Sequence, residues 1–143
     1  MEPADPNFET RSRENFRSQA FMRHLGVEMT ELGPGLCHLK LPSRPDWMQQ
    51  HGFFHGGVVA TIADVAGGYA AFSLLRPEAT NVTVEFKVNL VSPADGDYLV
   101  AHASVLKHGR SLTVCRCDVL SVGDQDQKLC ATSLGTYMAV MDR

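Results

Sequence analysis

His55-Gly56-Gly57-Val58-Val59-Ala60-Thr61-Ile62-Ala63-Asp64-Val65-Ala66-Gly67-Gly68-Tyr69-Ala70-Ala71-Phe72-Ser73-Leu74-Leu75 is the stretch on which the fold turns. Its apolar residues leave almost no polar face. A helix that is apolar nearly all round is a buried helix. Arg76-Pro77 ends it, because the residue before a proline is biased away from helical geometry. The same length of apolar chain could suggest a membrane span, but Asp64 at its centre is costly in lipid, and nothing flanking it resembles an anchor.

Working outward, the remaining chain reads as strands. Val82, Val84, Phe86, Val88 and Leu90 alternate with Thr83, Glu85, Lys87 and Asn89. Residues 98–107, 111–122 and 127–139 continue the pattern, joined by turns such as His108-Gly109. Upstream, Leu25, Val27 and Met29 alternate, Gly33-Pro34-Gly35 turns, and Cys37, Leu39 and Leu41 alternate again. A loop follows from Pro42 to Phe54. Phe16, Ala20 and Phe21 mark a short amphipathic helix. One long buried helix followed by an antiparallel meander predicts an α+β fold, with the sheet wrapped around the helix. Residues 1–15 read as a flexible lead-in, and 16–143 as a single domain.

The bulk properties exclude several functions. Net charge is −3 and the pI about 6.0, without the basic excess that a phosphate-binding surface requires, so no nucleic-acid partner is expected. Residues 1–14 lack an apolar secretory segment. The four cysteines, Cys37, Cys115, Cys117 and Cys130, lack the density of a secreted disulfide framework. A cytoplasmic protein with reduced thiols and no membrane association is expected. His51 and His55 are four apart, but Gly52 and an aromatic pair between them indicate a loop; with no HExxH and no paired Cys-x-x-Cys, neither a metal nor a cofactor is expected.

Asp64 is the only charged side chain in residues 55–75, and no Lys or Arg lies three or four residues away to pair with it. Burying an ionised carboxylate without a partner is costly. Such a group is either a catalytic acid, base or nucleophile, or a carboxylate held by a loop or a second subunit. His55-Gly56-Gly57 sits where the helix begins. Helix N-termini expose unpaired N–H groups, and two glycines let a ligand approach them, which is the chemistry of an oxyanion hole. The same pair also serves as a simple turn into a crowded core. Gly57 and Asp64 lie seven residues apart, ~10 Å along the axis. If both act on one carbonyl, Gly57 of one subunit and Asp64 of another most simply supply them.

The segment Gln49-Gln50-His51-Gly52-Phe53-Phe54-His55-Gly56-Gly57-Val58-Val59-Ala60-Thr61-Ile62-Ala63-Asp64 resembles the signature of the PaaI-like hotdog thioesterases. Asn89-Leu90-Val91-Ser92-Pro93-Ala94 and Lys107-His108-Gly109-Arg110-Ser111 match that family's strand and hairpin style, and the likeness spans residues 20–140. The resemblance implies a hotdog fold, assembly as a homodimer or homotetramer with intersubunit active sites, and hydrolysis of a small-to-medium or aryl acyl-CoA. Carried over by position, the Gly57 N–H polarises the thioester carbonyl and His55 shapes the loop. Asp64 is general base or nucleophile, and Thr83 falls where some members position water. Gln49 replaces the family's usual Asn, and either amide donates hydrogen bonds. Gly56 and Phe54 would meet the substrate, and Lys107 and Arg110 the CoA phosphates. The alternative is an acyl-CoA-binding module of the same fold without turnover.

Overall fold

The computed structural model describes residues 1–141. Two short helices, α1 (Phe8–Arg17) and α2 (Ala20–Leu25), precede the hairpin β1 (Glu28–Gly33) and β2 (Leu36–Pro42). The long helix α3 (Gly56–Phe72) follows, and then β3 (Ala79–Leu90), β4 (Tyr98–His108), β5 (Leu112–Val122) and β6 (Gln127–Met141). The six strands form one sheet in the order β1-β2-β4-β5-β6-β3. Every pairing is antiparallel. The sheet wraps around α3, which is the hotdog arrangement.

The inner sheet face explains how the helix fits. Cys37, Leu39 and Leu41 on β2, Ala101 and Ala103 on β4, Cys115 and Cys117 on β5, and Cys130 on β6 are all buried there. Mostly small residues let α3 lie close, against Val59, Ile62, Ala63, Ala66 and Ala70 of its own surface. The thiols act as small apolar groups. Burial pushes Cys37 and Cys115 up to about 12 and Cys130 up to about 11, so they remain protonated and unreactive.

The lead-in reading of residues 1–15 is corrected here. Phe8–Arg17 is helical, and Ser12 is fully buried. Arg11 is the cause. Its guanidinium donates to the carbonyls of Leu75 at 2.9 Å, Arg76 at 3.0 Å and Ala79 at 3.0 Å, just past the end of α3. It also pairs with Asp5 at 2.9 Å and lies 4.5 Å over the ring of Phe72. Carbonyls leaving a helix need donors, and Arg11 supplies them from far away in sequence. Arg11→Ala should therefore lower stability by about 2–4 kcal/mol, since several charge-assisted bonds disappear together. A melting curve several degrees below wild type checks this. A second difference is smaller. Leu25 closes α2 rather than opening a strand, because Gly26 (φ +71°) ends that helix in the left-handed conformation.

One edge of the sheet is unfinished. β3 pairs only with β6, and its twelve residues form an open edge carrying exposed Val82, Val84 and Leu90. Such an edge is a ready template for another strand.

Candidate active site

Two clefts lie along α3. The first, of about 230 Å³, has Asp64, Val65, Gly68, Tyr69 and Phe72 as its floor. Thr80, Asn81 and Thr83 of β3 and Tyr137 of β6 form one wall; Asn15 and Gln19 form the other. Asp64 is half-buried at one end. Thr83 Oγ1 donates to its Oδ1 at 3.0 Å, and the Tyr137 hydroxyl donates to its backbone carbonyl at 3.0 Å. Tyr137 reaches that carbonyl only because residue 67 has no side chain: a Cβ on Gly67 would lie 2.2 Å from the Tyr137 oxygen. Burial raises the Asp64 pKa above the ordinary 3.8, against the opposing pull of the Thr83 and Tyr137 hydroxyls.

The second cleft, of about 410 Å³, is lined by Gln49, Phe53, Phe54, Gly56, the segment Leu90 to Ala94, and Cys130. Here α3 begins. His55 is the N-cap, and its Nδ1 accepts the Gly57 N–H at 2.8 Å. The Gly57 amide, the donor that the resemblance implies, is thus engaged by the cap in this structure. The neighbouring Gly56 N–H has no hydrogen-bond partner among the described residues, and Gly56 lines the cleft. Gln49 Oε1 accepts from the backbone N–H groups of His51 and Phe53, and its NH₂ has no hydrogen-bond partner among the described residues. Phe54 is nearly fully buried at the cleft floor.

The structure thus brings together Asp64 with Thr83, and separately His55, Gly56, Phe54 and Gln49. It does not bring the two groups to one point. Gly56 and Asp64 are eight residues apart, ~12 Å along the helix axis, and the clefts share no lining residue. Lys107 and Arg110, at the β4–β5 hairpin, line neither cleft. The sequence gives no signal for Tyr137, Asn15 or Gln19: alternation gives a strand tyrosine no role, Asn15 falls in the segment expected to be a flexible lead-in, and Gln19 is a polar position on the expected short helix.

Among the described residues no cluster of three or more His, Cys, Asp or Glu is arranged to hold a metal ion, and no helix is long and apolar enough to cross a membrane.

A family model described as the thioesterase superfamily matches residues 51–128. The chain belongs to that superfamily. As a thioesterase it is a thioester hydrolase, and proteins similar to it agree. A thioesterase family protein from Silicibacter pomeroyi is 41% identical, with a TM-score of 0.92 covering 94% of this chain and 98% of the other. A thioesterase from Haemophilus influenzae is 25% identical, with a TM-score of 0.84 covering 99% and 96%. The PaaI protein of the phenylacetic acid degradation operon in Escherichia coli shares the fold, at a TM-score of 0.86 and 21% identity over 97% of each chain. The medium/long-chain acyl-CoA thioesterase YigI of Salmonella typhimurium is 27% identical over 82% of this chain and 84% of its own.

Proposed function

We propose that this thioesterase hydrolyses acyl-CoA to free acid and CoA, in a site completed between two subunits: Asp64 and Thr83 of one, Gly56, His55 and Gln49 of the other. The carrying observation is the half-buried, hydroxyl-oriented Asp64 on one cleft and the unpartnered helix N-terminal amide on another. Antiparallel pairing of two β3 edges would place one protomer's second cleft against the other's first, within a homodimer or a homotetramer built from it.

The chemistry follows from the groups present. The Gly56 N–H, at the positive end of α3, donates to the thioester carbonyl oxygen as it gains charge. The His55 cap fixes the turn that aims it, and the Gln49 NH₂ is free to add a second donor. The ionised Asp64 either takes a proton from water as water attacks the carbonyl carbon, or attacks that carbon itself. In both routes the C–S bond breaks and the CoA thiolate leaves and is protonated; in the first the free acid forms directly from the attacking water, and in the second water then hydrolyses the acyl-Asp64 anhydride, releasing the acid and restoring the carboxylate. A small-to-medium or aryl acyl group occupies the first cleft. Lys107 and Arg110 would serve CoA only if the assembly brings that hairpin to the phosphates. We place the reaction in the cytoplasm, where the four buried thiols stay reduced.

A panel of acyl-CoAs with detection of released thiol tests this. Release with at least one is expected; tight binding without release would make the protein a binding module instead. The pH profile carries a sign. Both routes need Asp64 ionised, so kcat/KM should fall as pH drops through a pKa above the ordinary carboxylate value. Because burial raises the folded-state pKa, the folded form binds this proton more tightly than the unfolded chain. This group's contribution to stability therefore grows as pH falls through that same range. Activity and the Asp64 share of stability should move in opposite directions, read by rate and melting temperature with the Asp64→Asn variant as the reference.

A further inference from the structure

The first cleft does not end in an apolar wall. From Asp64 its lining continues along α3 to Gly68, Tyr69 and Phe72, with Asn15 and Gln19 of the N-terminal segment bordering it. The Tyr69 hydroxyl donates to Asn15 Oδ1 at 2.8 Å and accepts from Gln19 Nε2 at 3.0 Å. Burial pushes the Tyr69 pKa up, so it stays a phenol and keeps both bonds. This relay fixes both amides. Asn15 is left with its Nδ2 donor and Gln19 with its Oε1 acceptor, neither engaged among the described residues. Asn81, whose Nδ2 donates to the Gly68 carbonyl at 2.8 Å, is left with its Oδ1 acceptor. Two acceptors, Gln19 Oε1 and Asn81 Oδ1, and the N–H groups that the three amides have not used therefore border the far end.

We infer that the cleft selects a short acyl chain ending in a hydrogen-bonding group, a hydroxyl above all, and that Asn15 and Gln19, held by Tyr69, are the residues that select it. This rests on the reading of the cleft as the acyl site of an acyl-CoA hydrolase. A hydroxyl both donates and accepts, which matches the pair on offer. A methyl end would cover these amides without bonding them. Sites that hydrogen-bond a substrate hydroxyl discriminate strongly against analogues lacking it. Asp64 and Tyr69 are five residues apart, ~7.5 Å along the axis. At ~1.2 Å per bond of extended chain, that is about six bonds. The volume of about 230 Å³ accommodates such a chain.

The test compares hexanoyl-CoA with 6-hydroxyhexanoyl-CoA. Wild type should favour the hydroxylated substrate in kcat/KM by ~10-fold or more. An Asn15→Leu/Gln19→Leu variant, changed at positions outside the buried core, should lose or invert that ratio. Tyr69→Phe keeps the ring and its packing but frees both amides, and should give an intermediate ratio. Equal rates in wild type, a preference for hexanoyl-CoA, or a ratio that survives in the double variant overturns the inference while leaving acyl-CoA hydrolysis standing. Failure of wild type to release thiol from either substrate or from any shorter acyl-CoA overturns both.

Discussion

Asp64→Asn should lower kcat for acyl-CoA hydrolysis by ~10²-fold or more, the range for removing a general base, and leave the protein folded. Asparagine keeps the size of the side chain and an oxygen to accept from Thr83. It cannot take a proton from water or attack a carbonyl. The partly desolvated charge disappears, so the melting temperature at neutral pH should hold or rise. The binding clefts are untouched, so affinity for acyl-CoA should persist. If Asp64 serves only to hold the sheet to the helix through Thr83, the pattern reverses: melting falls and turnover survives. Thiol release, melting temperature and acyl-CoA titration on one preparation distinguish the cases.

Mixing two inactive variants should restore activity. Gly56→Val obstructs the unpartnered amide, and its side chain must displace Leu90, whose Cδ1 lies 2.9 Å from a Cβ at this position. Alone, this variant should lose ~10²-fold in kcat, the scale of one oxyanion donor. If sites form between subunits, a dimer of one Gly56→Val chain and one Asp64→Asn chain retains one site with both groups intact. Random exchange makes half of all dimers mixed, each with one live site of two, so the mixture should recover about a quarter of wild-type activity. If each site lies within one chain, every site carries a defect and mixing restores nothing. Controlled unfolding and refolding of the mixture, followed by thiol release, reads the answer directly.

Much of this architecture is legible in the sequence, for identifiable reasons. Helix α3 stands out because burial on nearly every side requires apolar residues at nearly every position, which makes Asp64 conspicuous. The strands stand out by alternation. What alternation misreports is β3. The apolar set Val82, Val84 and Phe86 suggests that Thr83 points away from the helix. A bulge between Thr83 and Glu85 resets the period, so Thr83 pairs with Tyr137 on the inner side and reaches Asp64. Alternation also reports an apolar face without saying whether this chain covers it. Helix α1 is illegible because its stability comes from Arg11 reaching carbonyls more than sixty residues away. The choice between Gly56 and Gly57 is illegible because it depends on which amide the His55 ring accepts.

The open β3 edge has a consequence for the life of the chain before it finds a partner. A freshly synthesised subunit carries a long, partly greasy strand whose backbone is as ready to join a misfolded neighbour as a correct one. Glu85 and Lys87 give that strand some charge but do not close it. The race between proper pairing and clumping is set by how crowded the nascent chains are and how long each waits. Fast overproduction should therefore yield insoluble protein. Slow synthesis, or tying two copies in tandem so that the partner is always at hand, should yield soluble protein from the same sequence.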